Sequence, residues 1–404
     1  MSDNHVQLPR MLIVWNWLPC NHSGAGILMR RLFAEYPPDR LWALTNNQTK
    51  RIARSFDAVP SSERQTSVLE VQIHRRWIGA LASLLNCMLI PWTVWRGVGL
   101  VRKRRIESLF TVSWDHFTIA AYFIHKISGV PIYLYVMDDP AGARQADGSQ
   151  PLLYRLLMPR LLRACKRVWG VSAGMCEHFA QTYGVKCWPL LPLLDLDEFQ
   201  KGSSPMTDRS NGSFHIVFTG SIYSAQVDAV RRLVRVVNED FDLDGHPKIN
   251  VRLTLYTLAS ARALEQMGLS GRNVHQDAVE HQDIAGVLFE ADAAFLPLSF
   301  EPDMRHVVET SLPSKIAEYL AAGLPILVHA PPSSTVARYC REQNCGLVVD
   351  EPSETLLRSA LMRLSTDSAL RAALSATAFE TARKNHDARR IAPDFLRQLN
   401  SLGT

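Results

Sequence analysis

The stretch "PSKIAEYLAAGLPIL" occupies residues 313–327 and decides how the rest of the chain is read. It reads as one helix, a glycine stop at Gly323 and a buried strand that begins at Pro325. A proline suits the first helical position, so the helix is expected to start at Pro313 with Ser311 or Leu312 as its cap. The amides of Ser314 and Lys315 would then lack helical partners, and a helix start with free amides attracts anions. Lys315 adds a full positive charge there, and Glu318 follows one turn later, within reach of a sugar hydroxyl beside a bound phosphate. Diphosphate plus ribose is the ligand such a group of residues would hold. An ordinary capped helix with surface charges would use the same letters, and spacing alone leaves both readings open.

The pattern of helix and buried strand recurs on either side. Strand-like runs appear at 11–17, 107–114, 130–137 and 167–172, with helical patterns such as "AGILMRRLFAEY" (25–36) and "AGMCEHFAQTYG" (173–184) between them. Alternation of this kind predicts a parallel sheet covered on both faces. Residues 200–213, "QKGSSPMTDRSNGS", form the best linker, and the alternation restarts at 214–220, 248–256, 293–298, 324–330 and 346–350. Two α/β units of similar size are expected, with hydrophobic residues at 47% of 404 supplying a core for each.

Composition narrows the function classes. Seven cysteines are scattered without a C-x-x-C pair, which points away from a zinc site or a disulfide framework. "MSDNHVQLPRMLIVW" lacks the basic start and cleavage site of a signal peptide. Residues 1–200 hold 23 Lys+Arg and 15 Asp+Glu, while residues 201–404 hold 21 and 24, so the basic excess belongs to the first half. That half is expected to face something anionic. Within it, "WIGALASLLNCMLIPWTVW" (77–95) has no charge, carries tryptophans at both ends and is flanked by Arg75, Arg76, Arg96 and "RKRR" at 102–105. An interfacial helix, a buried helix and a spanning helix all remain open for it. A second basic stretch, 152–168, contains no acid. Arginines beside tryptophan and leucine suit lipid better than nucleic acid, so no nucleic-acid partner is expected.

Several sites can carry chemistry. Gly220 and Ser221 follow the strand at 214–219 and would let a phosphate approach the backbone; a tight turn would look the same. Arg305 could add a second cation or be a surface arginine. Gly24 and Gly26 sit at a strand-to-helix turn. Asp115 and His116 follow one strand end, and Asp138 and Asp139 another, which is where open α/β sheets bind ligands. No carboxylate pair looks like a metal site, so no metal or other cofactor is expected.

The 313–327 stretch closely resembles the donor-binding helix of the family 4 glycosyltransferases, retaining enzymes of the GT-B fold. The resemblance continues in order through "VSAGMCEHFAQTYGVKCWPLLPLLDLDEF" (171–199), "VFTGSIYSAQ" (217–226), "ADAAFLPL" (291–298) and "FETARKNHDARRIAPDFLRQL" (379–399). It implies two Rossmann-like parallel-sheet domains facing across a cleft: 1–200 for the acceptor, a linker at 201–213, 214–380 for the nucleotide sugar, and 381–404 crossing back as a helix. A membrane-associating segment would lie near 75–105. Lys315, with Ser314, would receive the leaving diphosphate and Glu318 the ribose. The uracil or guanine base would lie near Ala278–Glu280, and the Gly24 and Gly26 loop would face the cleft. His116 would bond the donor sugar or an acceptor hydroxyl, and Asp115, Asp138 or Asp139 would orient the acceptor. The chain departs from the pattern at Thr310, where the family carries an earlier glutamate; Glu309, just before it, could take over the sugar contact. The activity implied is sugar transfer, hexosyl in type, from a UDP- or GDP-linked donor to a lipid-linked or polysaccharide acceptor in cell-surface glycan synthesis. The expected location is cytoplasmic, on the inner face of the plasma membrane. A nucleotide-sugar epimerase of the same fold and a degenerate binding protein are the alternatives.

Overall fold

The structure, a computed structural model, describes residues 8–20, 24–47, 49, 59–70, 79–113, 115–138, 152–201, 213–239 and 250–401. Most of the expected linker, 202–212, lies outside them. The chain divides into two compact units, one of Met1–Leu191 with Ala388–Thr404, the other of Pro192–Asp387.

The first unit is built on seven strands: β1 (Met11–Val14), β2 (Leu41–Asn46), β3 (Gln65–Val68), β4 (Ser108–Val112), β5 (Ile132–Val136), β6 (Arg167–Gly170) and β7 (Trp188–Pro189). Their order is β3-β2-β1-β4-β5-β6-β7, and each pair is parallel. Every residue of β1, β2, β4 and β5 is buried, which explains why these strands read as continuous apolar runs: helices cover both faces. Strand order reverses between β1 and β4, so the carboxyl ends of those strands flank the crevice where such sheets bind ligands.

The Gly79–Arg104 helix contains Pro91 and packs along the His116–Ser128 helix. Gly97 permits that approach, because a Cβ there would meet Ile124 Cδ1 at 2.2 Å. Ile90, Val94 and Val101 enter the core, while Met88, Trp92 and Trp95 stay 70%, 50% and 62% exposed. No helix among the described residues is long and apolar enough to cross a membrane.

The expected single closing helix at 379–399 is two helices, Ser368–Asn385 and Ala388–Ser401. They part at His386, which is fully buried and kept neutral, its pKa lowered to about 4 by burial. Its ring nitrogens bond the Pro192 carbonyl (2.6 Å) and the Tyr339 hydroxyl (2.8 Å), an anchorage that a continuous helix would break. The Ala388–Ser401 helix packs Phe395 against Phe33, Phe110 and Trp169, with ring centroids 5.6, 5.9 and 5.0 Å apart.

The second unit carries β8 (Ser213–Thr219), β9 (Asn250–Tyr256), β10 (Val274–Asp277), β11 (Ala293–Pro297), β12 (Ile326–His329) and β13 (Gly346–Val349). The order is β10-β9-β8-β11-β12-β13, again parallel in each pair. Its core joins Ile216, Phe218, Leu253, Phe295 and Leu327 of the sheet to Val230 and Leu233 of the Ser224–Asn238 helix and Leu361 of the Glu354–Thr366 helix. The topology is the first unit's without its last strand, with the switch between β8 and β11.

Candidate functional site

β8 ends at Thr219, and the chain turns at Gly220 with φ +92°. A side chain is strained in that conformation, so glycine is required on backbone grounds. The Gly220 N–H donates to the Tyr256 carbonyl at 2.8 Å, holding the turn against β9. Ser221 follows, exposed, ahead of the Ser224–Asn238 helix, whose N-cap residue Tyr223 gives it no side-chain cap.

The helix after Pro313 begins later than the proline suggests. It runs Lys315–Ala321, with Ser314 as N-cap in the right-handed helical region and no side-chain cap. Pro313 and Ser314 instead supply carbonyls to the amides of Ile316 (3.1 Å) and Ala317 (3.2 Å). One turn after Lys315 on the same face, Tyr319 is fully buried. Its hydroxyl accepts the Thr219 N–H at 2.9 Å and meets Thr219 Oγ1 at 3.2 Å. That bond fixes the helix to the end of β8 and delivers Lys315 to the Gly220 turn. Lys315 Nζ lies 3.5 Å from the centroid of the Phe218 ring, and would be 3.7 Å from a Cβ at Gly220.

Lys315 as a residue is half-buried, yet its Nζ is out of reach of solvent and has no hydrogen-bond partner. Burial pushes its pKa down to about 7, against a smaller upward pull from Glu318. A cation held this way is costly unless it loses its proton or gains an anion. Glu318 sits one turn on, its Oε1 3.9 Å from His281 Nδ1. His281 follows the end of β10 and the 278–280 loop, so the loop expected to hold a base lies beside the carboxylate expected to hold a ribose.

Arg305 and Glu309 are placed differently from two independent donor contacts. Both belong to the Arg305–Thr310 helix, and Arg305 Nε donates to Glu309 Oε1 at 2.8 Å. Thr310 turns inward, 2% exposed, and its hydroxyl donates to the His306 carbonyl.

In the first unit, Asp115 caps the His116–Ser128 helix, its Oδ1 accepting the Thr118 N–H at 3.0 Å. Burial, and then the charge of Glu70, raise its pKa to about 7. His116 is 3% exposed and neutral, its pKa lowered to about 4 by burial. Its Nδ1 is 3.8 Å from Glu70 Oε1, and its Nε2 is buried without a hydrogen-bond partner. Asn46 donates to the Asn16 carbonyl (2.8 Å) and to Glu70, so the ends of β1, β2, β3 and β4 share one polar network. Asp138 is exposed at the end of β5, where its carbonyl accepts from Ser113, and Asp139 lies outside the described residues. Gly24 opens the Gly24–Leu32 helix and Gly26 is buried in it. Among the described residues no three His, Cys, Asp or Glu side chains gather as a metal site.

Sequence reasoning missed Tyr319, His281, Glu70 and Asn46. Tyr319 carried a signal, four residues after Lys315 on one helical face. The other three depend on strands and loops brought together by the sheets.

Residues 213–367 match the family model described as Glycosyl transferases group 1. The match lies inside the second unit and takes in Gly220, Lys315 and Glu318. A comparison with curated protein sequences gives no significant match. Among solved structures, HepE of Anabaena in complex with UDP and glucose aligns with a TM-score of 0.68 at 13% identity, over 97% of this chain and 100% of that one. The N-terminal domain of Candida albicans trehalose-6-phosphate phosphatase gives 0.67 at 11%, over 100% and 99%. WaaG, a glycosyltransferase involved in lipopolysaccharide biosynthesis, gives 0.61 at 16%, over 96% and 99%. The fold is therefore that of the GT-B glycosyltransferase structures, as the sequence resemblance implies.

Proposed function

We propose that this chain is a retaining glycosyltransferase of the family 4 type that takes a hexose from a nucleoside diphosphate donor bound by its second unit. One observation carries the reading: the Lys315 ammonium is desolvated, has no hydrogen-bond partner and lies over the Phe218 ring beside a glycine turn. As the glycosyl C–O bond breaks, its electron pair stays on the diphosphate, and a preplaced cation stabilises that charge without reorganising. Amides at Ser221 and Ser314 add donors, Gly220 lets the phosphate approach the backbone, Glu318 takes the ribose, and the 278–280 loop takes uracil or guanine. The family match over 213–367 and the UDP-bound state of the Anabaena relative support a nucleotide sugar. His116 Nε2, neutral and lacking a partner, is the candidate for a sugar hydroxyl. No step in this reading calls for a metal.

The acceptor in this reading is lipid-linked or a polysaccharide, met at the inner face of the plasma membrane. At about 100° per residue, Met88, Trp92, Trp95, Arg102 and Lys103 fall on one stripe of the Gly79–Arg104 helix. Exposed indoles followed by cations suit an anionic lipid interface.

The test is a thermal-shift panel of UDP, GDP and their sugars on wild type and Lys315→Ala, followed by a donor-turnover assay. Stabilisation by one nucleotide, lost in the variant, is expected. Equal stabilisation of both proteins would remove Lys315 from the site. Conversion of the nucleotide sugar to its epimer without acceptor would replace transfer by epimerisation, and failure of every nucleotide to bind would leave a degenerate binding protein.

A further inference from the structure

The amino edge of the first sheet, opposite the ends that bear Asp115 and His116, gathers charge that the proposed reaction does not use. Arg10 precedes β1, Asp39 and Arg40 precede β2, Glu107 precedes β4, and the Gly79–Arg104 helix ends there. Arg10, Asp39, Trp42, Lys103, Arg104 and Arg105 line a surface cavity of about 290 Å³.

Of the two acids nearby, Glu107 is committed. Glu107 Oε2 accepts the Arg10 backbone N–H at 2.6 Å and Arg40 Nη2 at 3.1 Å. Asp39 is the one carboxylate in the cavity wall; Arg64 bonds its backbone carbonyl at 2.8 Å and leaves the carboxylate as the single negative charge there. Arg64 in turn lies over the Trp42 ring, 5.2 Å from its centroid. Among the described residues no carboxylate pairs with the side chains of Arg10, Lys103, Arg104 or Arg105. Four cations therefore face one acid. The carbonyl end of a helix offers only about half a negative charge, too little to account for them.

The backbone works to keep the cations together. Arg105 has φ +51°, a conformation usually left to glycine at a helix end, and it turns the chain back so that Arg104 and Arg105 border the same space as Arg10. Guanidinium groups present forked donors that fit phosphate oxygens in pairs. The cavity holds the volume of roughly ten waters, enough for a phosphate and a short polyol. The buried Trp42 forms an apolar wall for the carbon part.

We propose that this cavity binds a phosphoryl group carried on a small polyol, either as a soluble glycerol phosphate or as the head of an anionic phospholipid. It is a second anion site, independent of Lys315. The probes are sn-glycerol 3-phosphate by calorimetry, and vesicles of phosphatidylcholine with phosphatidic acid by flotation. Control vesicles carry the same charge as oleate, and salt is held constant. Arg104→Gln/Arg105→Gln removes two exposed cations that lie off the tryptophan stripe, and its melting curve reports folding. Saturable binding of glycerol phosphate, weakened at least tenfold in the variant, supports the proposal with a soluble ligand. Preference for phosphatidic acid over oleate vesicles, weakened tenfold while glycerol phosphate does not bind, supports it with a lipid headgroup. Trp92→Ser/Trp95→Ser separates the helix stripe from the cavity: it is expected to lower vesicle binding and leave glycerol phosphate binding unchanged. Binding untouched by the Arg104/Arg105 substitutions, equal binding to oleate vesicles, or no binding of either phosphoryl probe overturns it. UDP binding, measured in parallel, reports on the Lys315 site, so the two readings fail separately.

Discussion

At the carboxyl edge of the first sheet, Asn46 reaches across to Asn16 and Glu70, Asp115 spends its carboxylate on a helix cap, and His116 is neutral. At the same edge of the second sheet, Lys315 is held over Phe218 with no acid or acceptor on its ammonium. Both sheets reverse strand order at the corresponding place, so topology offers each a binding crevice. Side-chain chemistry makes the difference. At the first edge the carboxylates of Asp115 and Glu70 are taken up by a helix cap and by Asn46, while the second edge has a positive charge that needs an anion. A built site is best recognised by what the protein leaves unpaired.

The sharpest way to break this contrast is Lys315→Met. Turnover of the nucleotide sugar is expected to fall by about 10²–10³, the scale of removing one preorganised charge-stabilising donor. The unliganded protein is expected to be as stable or more so, since methionine removes a desolvated ammonium but keeps the packing on Phe218. Lost activity with lost folding would instead make Lys315 a structural residue.

A pH experiment tests the same charge without a mutation. The folded pKa of Lys315 lies near 7, below the 10.5 of a free lysine. Between those values the unfolded chain holds a proton that the empty folded site does not, so this group adds stability as pH rises through that window. A bound diphosphate restores the ammonium. Binding near pH 9 is therefore expected to take up close to one proton, read by calorimetry in buffers of different ionisation enthalpy. Zero uptake, or the same uptake in Lys315→Met, would contradict the assignment.

Tyr319→Phe asks whether the hydroxyl bond to Thr219 holds the lysine in place. Leaving the buried Thr219 N–H unpaired costs about 1–3 kcal/mol, and nucleotide affinity is expected to fall with it. Gly220→Ala carries a cost of about 1–2 kcal/mol for the left-handed backbone, read as a lowered melting temperature. If Gly220→Ala melts like wild type, the turn has another conformation in solution.

Much of this is legible in the letters. Nine strands appear as apolar runs; five of them, β1, β4, β5, β11 and β12, are buried at every residue and have no polar face to disguise them. The rest have little to show: β3 reads "QTSV", β10 reads "VHQD" and β7 is two residues long. β2, "LWALTN", is apolar enough, but it opens straight from "PPDR". Lys315, Gly220 and Glu318 are legible as a motif and a turn. The bond from Tyr319 to Thr219, one hundred residues apart, is not, because the folded sheet creates it. The break at His386 is hidden for the same reason: its partners, Pro192 and Tyr339, are distant in the chain.

The smallest expected effect concerns Arg305 and Glu309. Four residues apart on one helix, they pair as such residues do. Arg305 is 76% exposed, so Arg305→Ala should change stability by no more than about 0.5 kcal/mol. A donor sugar that uses Glu309 must share or displace this bond, whereas one that does not will leave it alone. Arg305→Ala should therefore barely change the KM for the nucleotide sugar if Glu309 is an ordinary surface carboxylate. A tenfold change in KM with stability unaltered would place the pair at the donor, and would put Glu309 in the role that the buried Thr310 cannot fill.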